Sequence, residues 1–115
     1  MKEFKYKVKF IDNSLNLELK KLKEGTSKDK ELYKLILDAI EKMRENPLNS
    51  IIIKKKQIPK IYALKYNIDN LRMIKLNQNW RLLFTIASNE VFIVSIILEW
   101  MNHKEYEKRF KYKIK

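Results

Sequence analysis

Cationic side chains and the only histidine of the chain fall within residues 71–110, a stretch that reads as strands. Arg72, Lys75 and Arg81 lie on or beside strand-like runs, and His103 follows the last run. Arginine and lysine bind phosphate oxygens, and an imidazole with an unperturbed pKa of about 6.5 exchanges a proton near neutral pH. Such side chains on or beside one sheet suit a phosphodiester substrate.

The strands that carry these residues are predicted at residues 71–77, 80–87 and 91–99. Short polar turns at residues 77–79 and 88–90 separate them, which predicts an antiparallel meander. The last run is apolar on both faces apart from one serine, so it is expected to be central and largely covered.

A short polar helix is predicted after the meander, at residues 103–110. His103, Tyr106 and Phe110 are spaced so that they share one face of that helix. The only histidine would therefore begin the helix, with two aromatic rings on the same side.

The N-terminal part of the chain predicts a strand followed by a helix. Residues 3–10 alternate lysines with aromatic and β-branched residues, the pattern of a half-buried strand. Residues 14–24 predict a helix capped by Ser14. Gly25, the only glycine, is expected to end this helix in the left-handed conformation.

A second and longer helix is predicted at residues 27–45. Thr26 and Asp29 have the spacing of a capping pair, and an apolar stripe follows at helical period. The short connection at residues 25–26 makes the two helices an antiparallel hairpin that should cover one sheet face. The other face is expected to be a shallow groove, closed at one side by the C-terminal helix.

The segment at residues 48–70 is basic and rich in tyrosine, and Pro59 excludes a regular central strand there. It is expected to be partly ordered, with one helical turn. Its cations are suited to contact a phosphate backbone, and Tyr62 and Tyr66 are suited to stack on bases. The cations in question are Lys54, Lys55, Lys56, Lys60 and Lys65.

The charge of the chain points to an anionic partner. The formal net charge is +12 over 115 residues. Residues 1–50 hold 12 Lys/Arg against 9 Asp/Glu, giving +3, and residues 51–115 hold 14 against 5, giving +9. So basic a domain attracts polyanions, of which nucleic acid is the commonest in a cell. The alternative is a lysine-rich proteome in which every surface is basic.

Composition also sets the class of protein. The length and the 45% hydrophobic content predict one domain over residues 1–115, and the order of the predicted strands and helices makes it an α+β domain. The absence of cysteine excludes disulfides and cysteine metal sites, and a single histidine argues against a structural zinc site. No run has the character of a signal peptide or a membrane span, so a cytoplasmic protein without membrane contact is expected.

The order of elements and the residues of the last forty positions resemble the RelE/ParE toxin superfamily of toxin–antitoxin systems. The similar pattern is a strand with basic residues, then Trp80-Arg81-Leu82-Leu83-Phe84, an aliphatic strand, and a histidine followed by a tyrosine. The resemblance implies an N-terminal strand, a helical hairpin on a mainly antiparallel sheet of about four strands, and a short C-terminal helix.

The resemblance also implies an activity. RelE-type members cut mRNA in the ribosomal A site, where the 2′-OH of the RNA attacks the adjacent phosphate and the 5′-oxygen leaves. No metal or cofactor is required. Such chemistry needs a base, cations for the charge that grows on the phosphorane, and a proton for the leaving oxygen. A small acidic antitoxin protein would silence the toxin by covering the basic groove.

The residues that match the family pattern are expected to form the catalytic site. Arg81, with Lys75 and Arg72, would stabilise the phosphate; His103 would act as acid or base. Tyr106 would stack on a base or donate a proton, and Glu99 is a second possible base. Two helix cations, Lys104 and Arg109, would join the lysines of residues 54–65 in binding RNA.

Two other functions remain open from the sequence. The chain could be a non-catalytic member of the same fold, such as a ParE-like gyrase inhibitor or a nucleic-acid-binding module. It could also be a basic adaptor whose charge serves only protein–protein contact.

Overall fold

A computed structural model describes residues 5–88 and 91–111 of the chain. The predicted α+β class is confirmed, with five strands rather than about four, because residues 51–53 add an edge strand. The elements, in chain order, are β1 (Lys5–Phe10), α1 (Asn13–Lys23), α2 (Ser27–Glu45), β2 (Ile51–Ile53), α3 (Lys60–Tyr66), β3 (Leu71–Lys75), β4 (Trp80–Ser88), β5 (Phe92–Asn102) and α4 (His103–Lys111).

The five strands form one mixed sheet in the order β1-β5-β4-β3-β2. β1 pairs with β5 in parallel, and the other neighbours are antiparallel, so the predicted meander β3-β4-β5 is confirmed. β5 lies between β1 and β4, which agrees with its apolar sequence. Residues 3–4 of the predicted first strand and residues 89–90 of the predicted second turn lie outside the described residues.

One face of the sheet, the hairpin face, is covered by α1 and α2 as predicted. The apolar stripe of α2 supplies Ile36 and Met43, which pack in one core with Leu82, Phe84 and Ile97 of the sheet. All five side chains are at most 1% exposed. The 3.6-residue period of the stripe places these side chains on one side of the helix, and their burial fixes α2 on the sheet.

The opposite face of the sheet, the second face, is not the shallow groove that was predicted. α3 and α4 lie over it and close a second core. Tyr62 of α3 and Phe110 of α4 pack there with Leu83 and Met101 of the strands. The prediction failed because two short helices with aromatic residues at i, i+4 spacing cover the apolar centre of this face.

The caps of the first two helices differ in part from the prediction. Asp12, not Ser14, caps α1, since its Oδ1 accepts from the backbone N–H of Leu15 at 2.9 Å. The capping box of Thr26 and Asp29 at the start of α2 is confirmed, with bonds of 3.2 and 3.0 Å.

The predicted left-handed conformation of Gly25 is wrong, because no glycine has a positive φ. The glycine is required by space instead. A Cβ at this position would lie 2.8 Å from the Cβ of Asp29, whose carboxylate completes the capping box of α2.

Residues 48–70 are more ordered than predicted, since they form β2, a 3-10 turn (Lys55–Gln57) and α3, but the prediction of helical structure in this segment is confirmed. Pro59 lies at the N-cap of α3, where a missing N–H costs nothing. Asn67 ends the helix with a φ of 54°. Among the described residues, it is the one that has a positive φ. No helix within residues 5–88 and 91–111 is long and apolar enough to cross a membrane.

Candidate nucleic-acid site at the end of the sheet

Two cations lie directly opposite each other on neighbouring strands. Lys75 of β3 pairs with Arg81 of β4, and Arg81 pairs in turn with Met101 of β5, so all three share the second face. Like charges directly opposite on antiparallel strands repel. No carboxylate within residues 5–88 and 91–111 forms an ion pair with either cation. The arrangement therefore favours an external anion between them.

The turn between β3 and β4 holds the guanidinium of Arg81. Its Nη1 donates to the backbone oxygens of Asn77 at 2.8 Å, Trp80 at 3.2 Å and Gln78 at 3.3 Å. The side chain of Asn77 stiffens this turn, because its Oδ1 accepts from the backbone N–H groups of Asn79 and Trp80. All these bonds of Arg81 use one terminal nitrogen, which leaves the other N–H groups free of acceptors among the described residues.

His103 is held at the same end of the sheet. It is the first residue of α4 and half-buried, and its backbone N–H donates to the oxygen of Asn79 at 2.6 Å. The preceding residue, Asn102, caps the helix, since its Oδ1 accepts from the N–H of Glu105 at 2.9 Å. The turn between β3 and β4 therefore positions both the guanidinium of Arg81 and the backbone of His103.

Tyr106 lies one helical turn after His103 and is next to Arg81. The Cζ atom of Arg81 is 6.0 Å from the centroid of the tyrosine ring, at the outer limit of a cation–π contact. The ring also stacks on Phe110, with centroids 4.5 Å apart. Burial raises the pKa of the Tyr106 phenol more than the charge of Arg81 lowers it, so the hydroxyl is protonated and can donate at neutral pH.

Arg72, which was predicted to join Lys75 and Arg81, points away from them. It pairs with Phe84 of the hairpin-face core, so its side chain leaves the sheet on the hairpin face. Its Nη1 donates to Ser50 Oγ at 3.2 Å and to the backbone oxygen of Leu48 at 3.3 Å. The structure therefore places Arg72 at the connection between α2 and β2, apart from the paired cations.

Glu99 and Arg109 were predicted as a base and an RNA contact, and the structure pairs them with each other. Arg109 Nη1 lies 2.7 Å from Glu99 Oε2, and it also donates to the hydroxyl of Tyr62 at 3.4 Å. The pair connects β5, α4 and α3 over the second core. These contacts give both residues a structural role.

Tyr62, Arg109 and Glu99 form a cluster, and burial and hydrogen bonds shift the pKa values of its tyrosine and arginine. Burial and the hydrogen bond to Glu99 raise the pKa of Tyr62 far above its ordinary value of about 10. Burial alone would lower the pKa of Arg109, but its bonds to Tyr62 and Glu99 outweigh that effect and raise it. The cluster therefore holds a neutral phenol beside the ion pair of Arg109 with Glu99.

The lysines predicted to bind RNA are exposed, as such a role requires. None of them forms an ion pair within the part of the chain that the structure describes. Tyr66 is half-buried, and Tyr62 is fully buried and so cannot stack on a base. The exposed lysines are Lys54, Lys55, Lys56, Lys60, Lys65 and Lys104.

Sequence reasoning missed two residues that organise the site, Asn77 and Asn102. Both carry a recognisable signal. An asparagine that opens a polar turn bonds the backbone two or three residues later, and an asparagine before a helix is a preferred N-cap. Neither side chain carries a charge, so a search for phosphate-binding and proton-transferring groups does not single them out.

Comparison of the chain with models of protein families, with curated proteins and with solved structures finds no match. The resemblance to the RelE/ParE superfamily therefore depends on the residue pattern and on the order of elements.

Proposed function

We propose that this chain is a RelE-like toxin that cleaves mRNA on the ribosome and is silenced by a small acidic antitoxin. The observation that carries the proposal is the placement of Lys75 directly opposite Arg81, with Tyr106 beside the guanidinium. Two adjacent cations without a carboxylate partner among the described residues suit a phosphate whose negative charge grows during reaction.

The proposed reaction assigns one role to each residue of this end of the sheet. Arg81 and Lys75 bind the non-bridging oxygens of the scissile phosphate. The imidazole of His103 takes the proton of the 2′-OH, whose oxygen attacks the phosphorus. The bond to the 5′-oxygen breaks, and the protonated hydroxyl of Tyr106 donates to that oxygen. The products are a 2′,3′-cyclic phosphate and a 5′-OH.

Three residues predicted from the sequence are left out of this reaction. Arg72 lies on the hairpin face, while Glu99 and Arg109 neutralise each other. Glu99 would have to leave its ion pair to act as a base, and this cost favours His103 for that role.

The pairing of Lys75 with Arg81 also suits one alternative function. The chain would then be a non-catalytic member of the same fold, which binds its target without cutting RNA. If His103 does not act as the base, the carboxylate of Glu99 is held in its ion pair with Arg109 and is not free to replace it. The cations would then only hold a phosphate backbone or a protein target such as gyrase.

Cleavage of a short mRNA on programmed bacterial ribosomes tests the proposal. We expect cuts with a 2′,3′-cyclic phosphate end, and no cut where a 2′-deoxynucleotide replaces the attacking nucleotide. Arg81→Ala should lower the single-turnover rate by about 100-fold or more, as the loss of an oxyanion donor does. Arg44→Ala, a change of an exposed arginine on α2, is the matched control. Cutting at the deoxy position, or equal rates in both variants, would contradict the proposal.

A further inference from the structure

An open cavity of about 390 Å³ lies at the β2 edge of the sheet, on the hairpin face. Its lining comes from β2, β3 and β4 and from the connections before and after β2. Ile52 pairs with Arg72, which pairs with Phe84 of the hairpin-face core, so Ile52 and Arg72 leave the sheet on the same side. Lys75 and Arg81 lie on the second face. This edge cavity is therefore separate from the candidate nucleic-acid site.

The apolar part of the edge cavity is aliphatic and reaches solvent. Leu48 is 53% exposed, Ile52 is 64% exposed, and Ile86 is half-buried. No aromatic ring lines the cavity among the described residues. Covering aliphatic side chains is favourable in proportion to the area that leaves water. This part of the cavity therefore suits an apolar group of a ligand.

Three cations line the same cavity, against one carboxylate. They are Arg72, Lys54 and Lys55, and the carboxylate is that of Asp69. None of the four forms an ion pair within residues 5–88 and 91–111. The Nη1 of Arg72 donates to two oxygen atoms of the connection before β2, and its other N–H groups have no acceptor among the described residues. A guanidinium that is held in this way keeps N–H groups for an external anion.

The amide of Asn70, which also lines the cavity, is saturated with hydrogen bonds. Its Oδ1 accepts from the backbone N–H of Ile86 at 2.9 Å and lies 3.0 Å from the donating hydroxyl of Thr85. Its Nδ2 donates to the backbone oxygen of Ile86 at 3.0 Å and to Asp69 Oδ1 at 3.1 Å. These bonds fix the wall of the cavity and leave the amide without capacity to read the edge of a nucleobase.

From this geometry we infer that the edge cavity binds an aliphatic carboxylate, namely a free single-chain fatty acid of medium length. The carboxylate accepts from the remaining N–H groups of Arg72, close to Lys54 and Lys55, and the chain covers Ile52. The cavity is at the low end of the range of about 300–1,000 Å³ for small-molecule sites, so it suits one chain and not a diacyl lipid. Asp69 repels a second negative charge, which favours a carboxylate over a phosphate monoester.

Nucleic acid is a poorer occupant of the edge cavity. An RNA backbone would use the cations but leave Leu48 and Ile52 in water. A free nucleotide would meet no ring to stack on within the described lining, and no unsatisfied amide at Asn70. The inference stands whether or not the chain cuts RNA, because Arg72 has no part in the proposed reaction.

Titration of the whole chain with sodium decanoate, followed by amide NMR shifts, tests the inference. We expect one saturable site with the largest shifts at residues 52–55 and 69–72. Butyrate, which has the same head group on a shorter chain, should bind at least about tenfold more weakly, because each methylene that leaves water adds to the affinity. Decyl phosphate should bind no more tightly than decanoate.

Two neighbouring residues of β2 give matched variants for the apolar contact. Ile52→Thr keeps a β-branched residue but removes apolar area from the cavity, so it should weaken decanoate binding about threefold or more. Ile51 is 53% exposed, pairs with Met73 of the second core and does not line the cavity. Ile51→Thr should therefore leave the affinity unchanged.

A second pair of variants tests the charge contact. Arg72→Gln retains a donor for the connection before β2 but loses the charge, and it should weaken decanoate binding about tenfold or more. Arg44→Gln changes an exposed arginine on α2 and should not. If Arg72→Gln does not fold, the double variant Lys54→Gln, Lys55→Gln makes the same test, since both lysines are exposed.

Three results would overturn the inference. One is no saturable binding of decanoate, or butyrate that binds as tightly. Another is an affinity that the changes at Ile52 and Arg72 do not lower, or that the control variants lower as much. The third is tighter binding of decyl phosphate, of oligouridylate or of phosphatidylglycerol vesicles at residues 52–55 and 69–72.

Discussion

Arg109 of α4 and Glu99 of β5 form a 2.7 Å ion pair that ties the C-terminal helix to the strand before it. Their side chains are 32% and 21% exposed, so the pair is partly desolvated. The helix it holds also carries His103 and Tyr106. Two charged residues that the sequence predicted as a base and as an RNA contact thus position the helix that carries the proposed catalytic residues.

Removing one member of this pair should destabilise the fold. Arg109→Ala leaves the Glu99 carboxylate partly buried without a partner, and we expect a loss of about 1–3 kcal/mol in the free energy of unfolding. Denaturant titration measures the change. Arg44→Ala breaks an exposed ion pair with Glu41 and should cost less than about 1 kcal/mol. Equal losses in the two variants would show that the Glu99–Arg109 pair stabilises the fold no more than the exposed pair does.

Tyr62 should make the fold sensitive to alkali. Its pKa is raised in the folded state by burial and by Glu99, whereas the unfolded chain has a tyrosine pKa of about 10. The unfolded state therefore loses this proton first as pH rises. The stability that Tyr62 contributes is complete below about pH 10 and is lost above it, by up to about 1.4 kcal/mol per pH unit.

The variant Tyr62→Phe should be less stable at pH 8, because it loses the hydroxyl bonds, but its stability should fall less steeply between about pH 10 and 12. Unfolding free energies measured by denaturant titration across that range give both slopes. Parallel curves for the two proteins would mean that the hydroxyl of Tyr62 titrates normally.

Asn67 offers a test of the end of α3. Its φ of 54° is a left-handed conformation that glycine adopts without a Cβ penalty. We expect Asn67→Gly to leave the free energy of unfolding nearly unchanged and Asn67→Val to lower it by about 1–2 kcal/mol. Thermal melts followed by circular dichroism measure both. A valine variant as stable as the glycine variant would contradict the assigned conformation.

The sequence predicted the meander, the hairpin and α2 because their apolar residues keep a clear period over many positions. It did not predict the second core. In α3 the inward-facing residues Tyr62, which is buried, and Tyr66, which is half-buried, alternate with exposed Ile61 and Leu64. Hydrophobicity alone therefore cannot tell the inner from the outer side. Pro59 was used only to exclude a regular central strand, although it also marks the start of a helix.

The sequence predicted the candidate site only in part, because the face on which a strand residue lies was not always read correctly. Arg72 and Lys75 are three residues apart on one strand, and an odd spacing places them on opposite faces. The role of Glu99 depends on an irregularity in the register of β4 and β5 between Leu83 and Phe84. Because of this irregularity, the consecutive residues Leu98 and Glu99 both lie on the second face, which a strict period of two does not predict.

Binding of RNA should depend on salt through the paired cations. Each phosphate contact with single-stranded RNA contributes about 0.7 to the slope of log affinity against log salt concentration. Lys75→Ala and Arg81→Ala should each reduce that slope by about 0.7, measured by fluorescence anisotropy with a labelled oligonucleotide. Lys34→Ala, a change of an exposed lysine on α2, is the control. A control variant that lowers the slope as much would indicate diffuse attraction and no defined site.

Induced expression in bacteria, followed by growth and by primer extension on a reporter mRNA, tests the central claim most directly. The account predicts growth arrest with new in-frame cuts for the unaltered chain and for Arg44→Ala. Arg81→Ala and His103→Ala should abolish both the arrest and the cuts while the proteins accumulate to equal levels. Growth arrest without mRNA cuts, or cuts that persist in Arg81→Ala, would contradict it.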